Sequence, residues 1–478
     1  MKSKSFARTG WTLYGMLWVC FSCAMAQSHY TDLKYLDLRE IQVPEVDQVT
    51  LPSGMKLFLL EDHELPLISL SARIRVGSMY EPVDKIGLAS ITGTVMRSGG
   101  TTSRSGDAID EALENIAASV ETRIELDSAS ASMSVLSKDL DTGLSILVDI
   151  LMNPAFPEDK IELAKLQRRT AISRRNDRVN GIAGREFRKL IYGSDSVYAR
   201  QAEYATLDHI TRDDLVALHQ EFFYPNNTML AVWGDFDTSQ MVQKLEQAFK
   251  DWQRREVSTP PAPEVNYQFN QTVNVIPKQD INQTHIYMGH IGGLRNDPDY
   301  FALTLMNRIL GSGFTSRLFR EVRSRQGLAY SVFGYFSAEY DHAGMFYVGC
   351  QTQSGTTVQA IQAMKTEVVK MTQAEVTVEE LELARESFLN GFVFNFDSKG
   401  EIVNRLMTYS YYGYPLDFLE KAKQGIEKVT QADILRVAKK HLHPDQLQIL
   451  TVGPAQDFAE ELSKLGPVTE IDITIPGS

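Results

Sequence analysis

The chain has 478 residues, 43% of them hydrophobic, and 48 Lys and Arg against 61 Asp and Glu leave a net charge of −13. That length and apolar content provide for a sizeable core in about two to four domains. With no run rich in Lys or Arg, the acidic balance excludes the basic footprint by which proteins neutralise nucleic-acid phosphates. It suits a soluble surface, or an acidic chamber that favours basic peptides.

Residues 1–26 read as a secretory signal peptide. Lys2, Lys4 and Arg8 form its positive start, Trp11 to Phe21 its apolar middle, and Ala24-Met25-Ala26 its cleavage site. No later stretch approaches the length of about 18 apolar residues that a spanning helix needs, so no transmembrane segment is expected in the mature chain. Cys20 and Cys23 would leave with the signal, and Phe21-Ser22 before Cys23 fits a lipid-attachment box poorly. Cys350 then remains alone, and no intrachain disulfide can form. An exported chain of this size without a disulfide framework is expected in the periplasm.

An extended leader (27–47) precedes an N-terminal domain (48–252). Its strand pattern Val49 to Leu60 is broken at Pro52-Ser53-Gly54, and Leu67 to Val76 alternates as half-buried strands do. Helices are predicted at 87–98, 106–119, 138–152 and 158–180, paired strands at 119–122 and 128–136, and a closing strand at Met229 to Trp233. Pro260-Pro261-Ala262-Pro263 marks a linker (253–270), because proline runs forbid helix.

A C-terminal domain (271–470) repeats the order of the first. Strands at 271–277 and 284–290 precede a helix from Pro298 to Leu310, then Gly311-Ser312-Gly313, a helix stop or hinge. Strands Ala329 to Phe336 and Met345 to Gln351 lead into helices at 355–372 and 377–396. Ile210, Thr211, Asp214, Leu215, Pro225 and Gly234 recur as Val429, Thr430, Asp433, Ile434, Pro444 and Gly453, at one constant offset. Each copy is a capped helix, a proline stop and a strand ending in Gly. The fold class is α+β: two homologous halves from a duplicated unit, each a mostly antiparallel sheet backed by helices.

The frame Gly77-Ser78-Met79-Tyr80-Glu81-Pro82, followed by Gly87-Leu88-Ala89 on a helix, resembles the opening of the pitrilysin/insulinase family of zinc metallopeptidases. Those enzymes carry H-x-x-E-H directly after "G-L-A": two histidines hold zinc and the glutamate is the general base. Here the five positions read Ser90, Ile91, Thr92, Gly93 and Thr94. The family's third ligand, a glutamate on a later helix, falls by its familiar spacing on Ala171, and Lys165 to Arg175 contains no acid. Three ligands and the base are therefore absent, and the resemblance implies no metal in this chain. The second half keeps the family's segment "S-R-L-F…R-x-x-x-G-L-A-Y" as Ser316 to Tyr330. There the resemblance assigns Arg323 and Tyr330 to clamping the substrate carbonyl and the oxyanion that develops on it.

Nothing else replaces the metal site. His441-Leu442-His443 reads as helix-end histidines near helix carbonyls. His285 and His290 point to opposite faces of one strand, and His29, His63, His209, His219 and His342 form no tetrahedral set. A Walker loop, a dinucleotide fingerprint and a G-x-S-x-G elbow are all missing. The resemblance thus implies a zinc-free subunit of a periplasmic heteromeric metallopeptidase. It would form half of a peptide chamber and lend Arg323 and Tyr330 to a homologous partner that carries H-x-x-E-H and the zinc. A purely structural or peptide-binding assembly subunit is the alternative.

Overall fold

From Leu67 to Ile74 every second residue is buried, while Leu57 to Leu60 are buried without interruption. The first pattern puts one face of a strand on a core, and the second requires cover on both faces. The computed structural model describes residues 44–256 and 260–477. The expected signal peptide, its cleavage site, Cys20, Cys23 and the leader up to Val43 lie outside the described residues.

The first half runs β1 (Asp47–Thr50), β2 (Lys56–Glu61), β3 (Leu67–Ile74), α1 (Leu88–Ser98), α2 (Gly106–Glu114), β4 (Ser119–Ile124) and β5 (Ala129–Leu136). It continues with α3 (Leu140–Met152), α4 (Glu158–Ser173), α5 (Val179–Tyr192), α6 (Tyr204–Asp208), α7 (Arg212–Phe222), β6 (Thr228–Gly234) and α8 (Thr238–Ala248). The second half has β7 (Thr272–Pro277), β8 (Gln283–Ile291), β9 (Gly293–Leu294), α9 (Tyr300–Gly311), β10 (Ala329–Phe336), β11 (Ala338–Glu339) and β12 (Met345–Gln353). After these come α10 (Thr357–Gln373), α11 (Val378–Phe392), α12 (Lys399–Tyr412), α13 (Phe418–Lys428), α14 (Gln431–His441), β13 (Gln448–Gly453), α15 (Ala459–Ser463) and β14 (Val468–Glu470).

Two six-stranded sheets result, ordered β1-β2-β6-β3-β5-β4 and β14-β7-β13-β8-β12-β10. Five strands of each, β2-β6-β3-β5-β4 and β7-β13-β8-β12-β10, match one for one. β2 and β6 pair in parallel, as do β7 and β13, and the other neighbours within those five are antiparallel. The recurring Thr and Asp form the same capping box in both halves, Thr211 with Asp214 before α7 and Thr430 with Asp433 before α14. This doubled topology is the duplicated α+β fold expected from the sequence.

Each sheet rests one face on helices of its own half, around Ile91, Ile146 and Leu147 in the first and Leu305, Met306 and Met364 in the second. The opposite faces are covered crosswise. Ile402, Val403, Met407 and Tyr411 of α12 pack on Phe58, Leu60, Met229 and Ala231 of the first sheet. Reciprocally, Ile182, Ala183, Phe187 and Ile191 of α5 pack on Ile276, Leu450 and Val452 of the second. At roughly 1.5–3 kcal/mol per fully buried large side chain, these exchanged helices tie the halves strongly together. Polar contacts pin them: Tyr411 Oη donates to the Asp127 carbonyl at 2.7 Å, the Tyr412 hydroxyl to the Asp127 carboxylate, and Asn176 Nδ2 to the Ile473 carbonyl at 2.7 Å.

Candidate functional site

α1 starts at Gly87, whose φ of +110° lies in the region that favours glycine. Its first turn is closed by Glu81, a buried carboxylate that accepts from Gly87 N at 3.2 Å and Ala89 N at 2.5 Å. Anion and helix N-terminus attract each other there. Burial pushes the Glu81 carboxyl up, against the pull of those two N–H groups. Arg200 braces the same turn by donating to the carbonyls of Ser78 at 2.6 Å and Glu81 at 2.9 Å. Glu81 had no assigned role beyond its place in the frame 77–82; a lone acid ahead of a proline is the signal that could have found it.

Along α1 the hydroxyls at the two histidine positions are spent on their own helix. Ser90 Oγ donates to the Gly87 carbonyl at 3.0 Å and Thr94 Oγ1 to the Ser90 carbonyl at 2.9 Å. Position 93, the general base of the zinc enzymes, is packed shut. A Cβ on Gly93 would stand 2.5 Å from Ile124 N and 2.9 Å from Arg123 Cα, both on β4. Thr122 Oγ1 fastens the same contact with a 2.7 Å hydrogen bond to the Gly93 carbonyl. Ala171 stands exposed on α4 and offers no ligand atom. Zinc does not fit these residues: they supply no imidazole and no carboxylate, and position 93 has no room for one.

Among the described residues Asp297, Asp299 and His441 could hold a metal by proximity, their ligand atoms lying within 4.8 Å. The Asp299 carboxylate, however, already accepts from Arg436 Nη1 at 2.6 Å, Lys440 Nζ at 2.6 Å and His441 Nε2 at 2.9 Å. Burial raises that carboxyl, yet Lys440, His441 and Arg436 outweigh it and hold the group well below the usual carboxylate range. Two cations and an imidazole around one acid make a polar network at the start of α9, not a cation site. His441 therefore faces a neighbouring helix, where helix-end carbonyls were expected. His443 offers its backbone N–H to His290 Nε2 at 3.2 Å.

Arg323 and Tyr330 are brought together. Residues Phe319–Arg325 wind as a wide π-helix, marked by Gln326 N donating to the Glu321 carbonyl at 3.1 Å. Farther on, β10 carries a bulge: Ala329 pairs Thr352 and Ser331 pairs Gln351, which leaves Tyr330 as the extra residue. The two irregularities set the Arg323 guanidinium 5.2 Å from the Tyr330 ring centre and 4.7 Å from that of Phe319. Tyr330 is 78% exposed, and among the described residues neither side chain has a hydrogen bond or an ion pair. β10 is also the edge of its sheet, with unpaired backbone groups along one side. The arrangement presents a guanidinium fork and a phenol, both unspent donors, beside an edge that can take an extended peptide.

The segment is anchored from behind. Arg317 Nε and Nη2 grip the Glu380 carboxylate at 2.8 and 2.7 Å, and Arg320 Nη2 adds a 2.9 Å bond. Among the described residues no helix is long and apolar enough to cross a membrane.

Residues 58–184 match the family described as Insulinase (Peptidase family M16), and residues 209–388 match Peptidase M16 inactive domain. A protein of Helicobacter pylori named Non-peptidase homolog YmxG is 22% identical over 412 residues, covering 86% of this chain and 93% of its own. Uncharacterized zinc protease Rv2782c of Mycobacterium tuberculosis is 25% identical over 418 residues, covering 85% and 93%. Among solved structures, the peptidase M16 inactive domain from Pseudomonas fluorescens superposes with a TM-score of 0.75 at 24% identity, over 86% of this chain and 98% of that one. The periplasmic protease PqqL from Escherichia coli gives 0.73 at 12% identity, over 92% of this chain and 50% of that one. With two matches to the same peptidase family along 58–388 and no ligand side chain at the zinc-site positions, the chain belongs to the insulinase family, peptidase family M16, as a non-catalytic member.

Proposed function

We propose that this chain is the zinc-free subunit of a periplasmic heteromeric metallopeptidase, and that it lends Arg323 and Tyr330 to the zinc site of a homologous partner. The observation that carries the reading is the asymmetry between the halves. The zinc-site positions have closed on themselves, while Arg323 and Tyr330 remain side by side, exposed and without a polar partner of their own. Unspent donors already side by side are what an oxyanion site needs before its substrate arrives. The division into an N-terminal domain (48–252) and a C-terminal domain (271–470) joined by 253–270 is part of the proposal. So is export behind residues 1–26. That the chain aligns with half of PqqL, itself a periplasmic protease, supports a half-chamber that needs a second subunit.

The test is reconstitution with a homologue that carries H-x-x-E-H. Arg323→Ala and Tyr330→Phe should each lower turnover by about 10²–10³ while assembly and the partner's zinc stay intact. The loss should fall on kcat more than KM, since a ground-state carbonyl gains less from these donors than the tetrahedral species. Full activity of both variants in an assembled complex would assign the chain to assembly or peptide binding alone.

A further inference from the structure

A cleft of about 320 Å³ opens between α9, α11, α12 and α13, and three arginines line it. Arg295, Arg308 and Arg405 are each half-buried, and among the described residues none of them is in an ion pair. In a chain of net charge −13, three guanidiniums around one cleft with no acid in its wall is an imbalance. They repel one another, and each has lost part of its hydration without a counter-charge.

Their neutral contacts hold them in place without cancelling the charge. Arg295 Nη1 donates to Tyr340 Oη at 3.1 Å and its guanidinium lies 4.2 Å from that ring centre. Arg308 Nη1 donates to Ser387 Oγ at 3.0 Å, with the guanidinium 5.4 Å from the Phe388 ring centre. Arg405 stands 5.8 Å from the ring centre of Phe396. Burial pulls Arg308 below the usual arginine range and pushes the Tyr409 phenol up, against the pull of Arg405 and Arg295. Tyr300, Phe301, Tyr409 and Phe418 give the wall an aromatic part, with the Phe418 ring centre 6.0 Å from that of Tyr300 and 5.6 Å from that of Tyr409.

We infer that this cleft binds a small organic carboxylate carried on an aromatic or apolar body. A planar carboxylate matches the guanidinium fork, and the aromatic wall takes the body. The volume sits at the small end of ligand cavities, which run about 300–1,000 Å³. The site is independent of Arg323 and Tyr330 and of the proposed complex, so either can fail without the other.

Calorimetric titration of the full chain with phenylacetate, its neutral amide and inorganic phosphate tests the assignment. Phenylacetate is expected to bind one to one and to raise the melting temperature, and the amide to bind about tenfold more weakly or worse. Arg295→Gln and Arg405→Gln should each weaken phenylacetate by about tenfold or more, whereas Arg123→Gln, an exposed change in the other half, should not. Because an arginine variant could unfold, each is melted first, and Arg308→Lys, which keeps the charge and loses the fork, gives a milder second reading. No phenylacetate binding by the unaltered chain overturns the inference. So does phosphate binding as tightly as phenylacetate, or a folded Arg405→Gln chain that binds unchanged.

Discussion

With the backbone of β4 lying 2.5–2.9 Å from where a Cβ on Gly93 would stand, even alanine forces the strand and α1 apart. Gly93→Ala should cost about 1–3 kcal/mol by urea unfolding, despite alanine's better helix propensity, because an overpacked contact gives more slowly than propensity gains. For the same reason Ser90→His, Gly93→Glu and Thr94→His introduced together should not rebuild a zinc site. Metal analysis of that triple variant should find no stoichiometric zinc and its melting temperature should fall. In the proposed complex, Arg323→Ala combined with Tyr330→Phe should cost less than the product of the single losses, since both donors would act on one charge. The missing ligands at Ser90, Thr94 and Ala171 were legible in the sequence because a motif is a spacing, and a spacing survives without a structure. The packing at Gly93 was not, since it depends on where β4 lands. Nor were the roles of Glu81 and of the arginine-lined cleft, whose lining is gathered from several segments between Arg295 and Ile426.

The helical segment bearing Arg323 is seated on the core by Leu318 and Val322, and its polar side is held by one carboxylate. Glu380 caps α11 through Thr377 N at 3.0 Å while it holds Arg317 and Arg320. Burial raises its carboxyl, but Arg317 and the Thr377 N–H bring it down to about 2. Glu380→Ala leaves the half-buried Arg317 unpaired, which should destabilise the chain by about 3–5 kcal/mol and speed amide exchange across 316–325 first. On β8, His290 is pinned as a neutral ring: Nδ1–H donates to the Ile291 carbonyl at 2.6 Å and Nε2 accepts from His443 N. Burial lowers it from its ordinary 6.5 to about 4. Below pH 6.5 the unfolded chain takes up a proton that the folded chain refuses, so this stability is complete above 6.5 and drains away as pH falls toward 4. Urea midpoints should drop by about 2 kcal/mol equivalent between pH 7 and pH 5, and His290→Gln should flatten that slope. Strand and helix positions were readable from period and caps, as with Thr211 and Thr430. The π-helix at 319–325 was not, because its extra residue per turn leaves the apolar pattern unchanged.

The constant offset between Thr211 and Thr430 foretold two like halves, and the uninterrupted burial of Leu57–Leu60 and Ile449–Val452 implied cover on both faces of each sheet. Neither told that α5 and α12 would cross over, since an amphipathic face does not name its partner. The proposed linker holds an exposed Pro260 and Pro263, whose carbonyls accept from Tyr80 Oη at 3.2 Å and Tyr198 Oη at 2.6 Å. Limited proteolysis should cut near 260–263 before it cuts within 210–234. The nicked halves should then elute together in gel filtration under native conditions and separate only in denaturant. Separation on nicking alone would mean that the exchanged helices carry little of the stability. The exchange also sets a timetable. When a ribosome has made the whole first half, Phe58, Leu60, Met229 and Ala231 still lack their cover, and they wait for residues 399–412 near the end of synthesis. Until then the newborn protein shows a greasy flank to every passing chain, and contacts so distant along the chain close slowly. Such a polypeptide has reason to depend on a holding chaperone from its first half to its last helix.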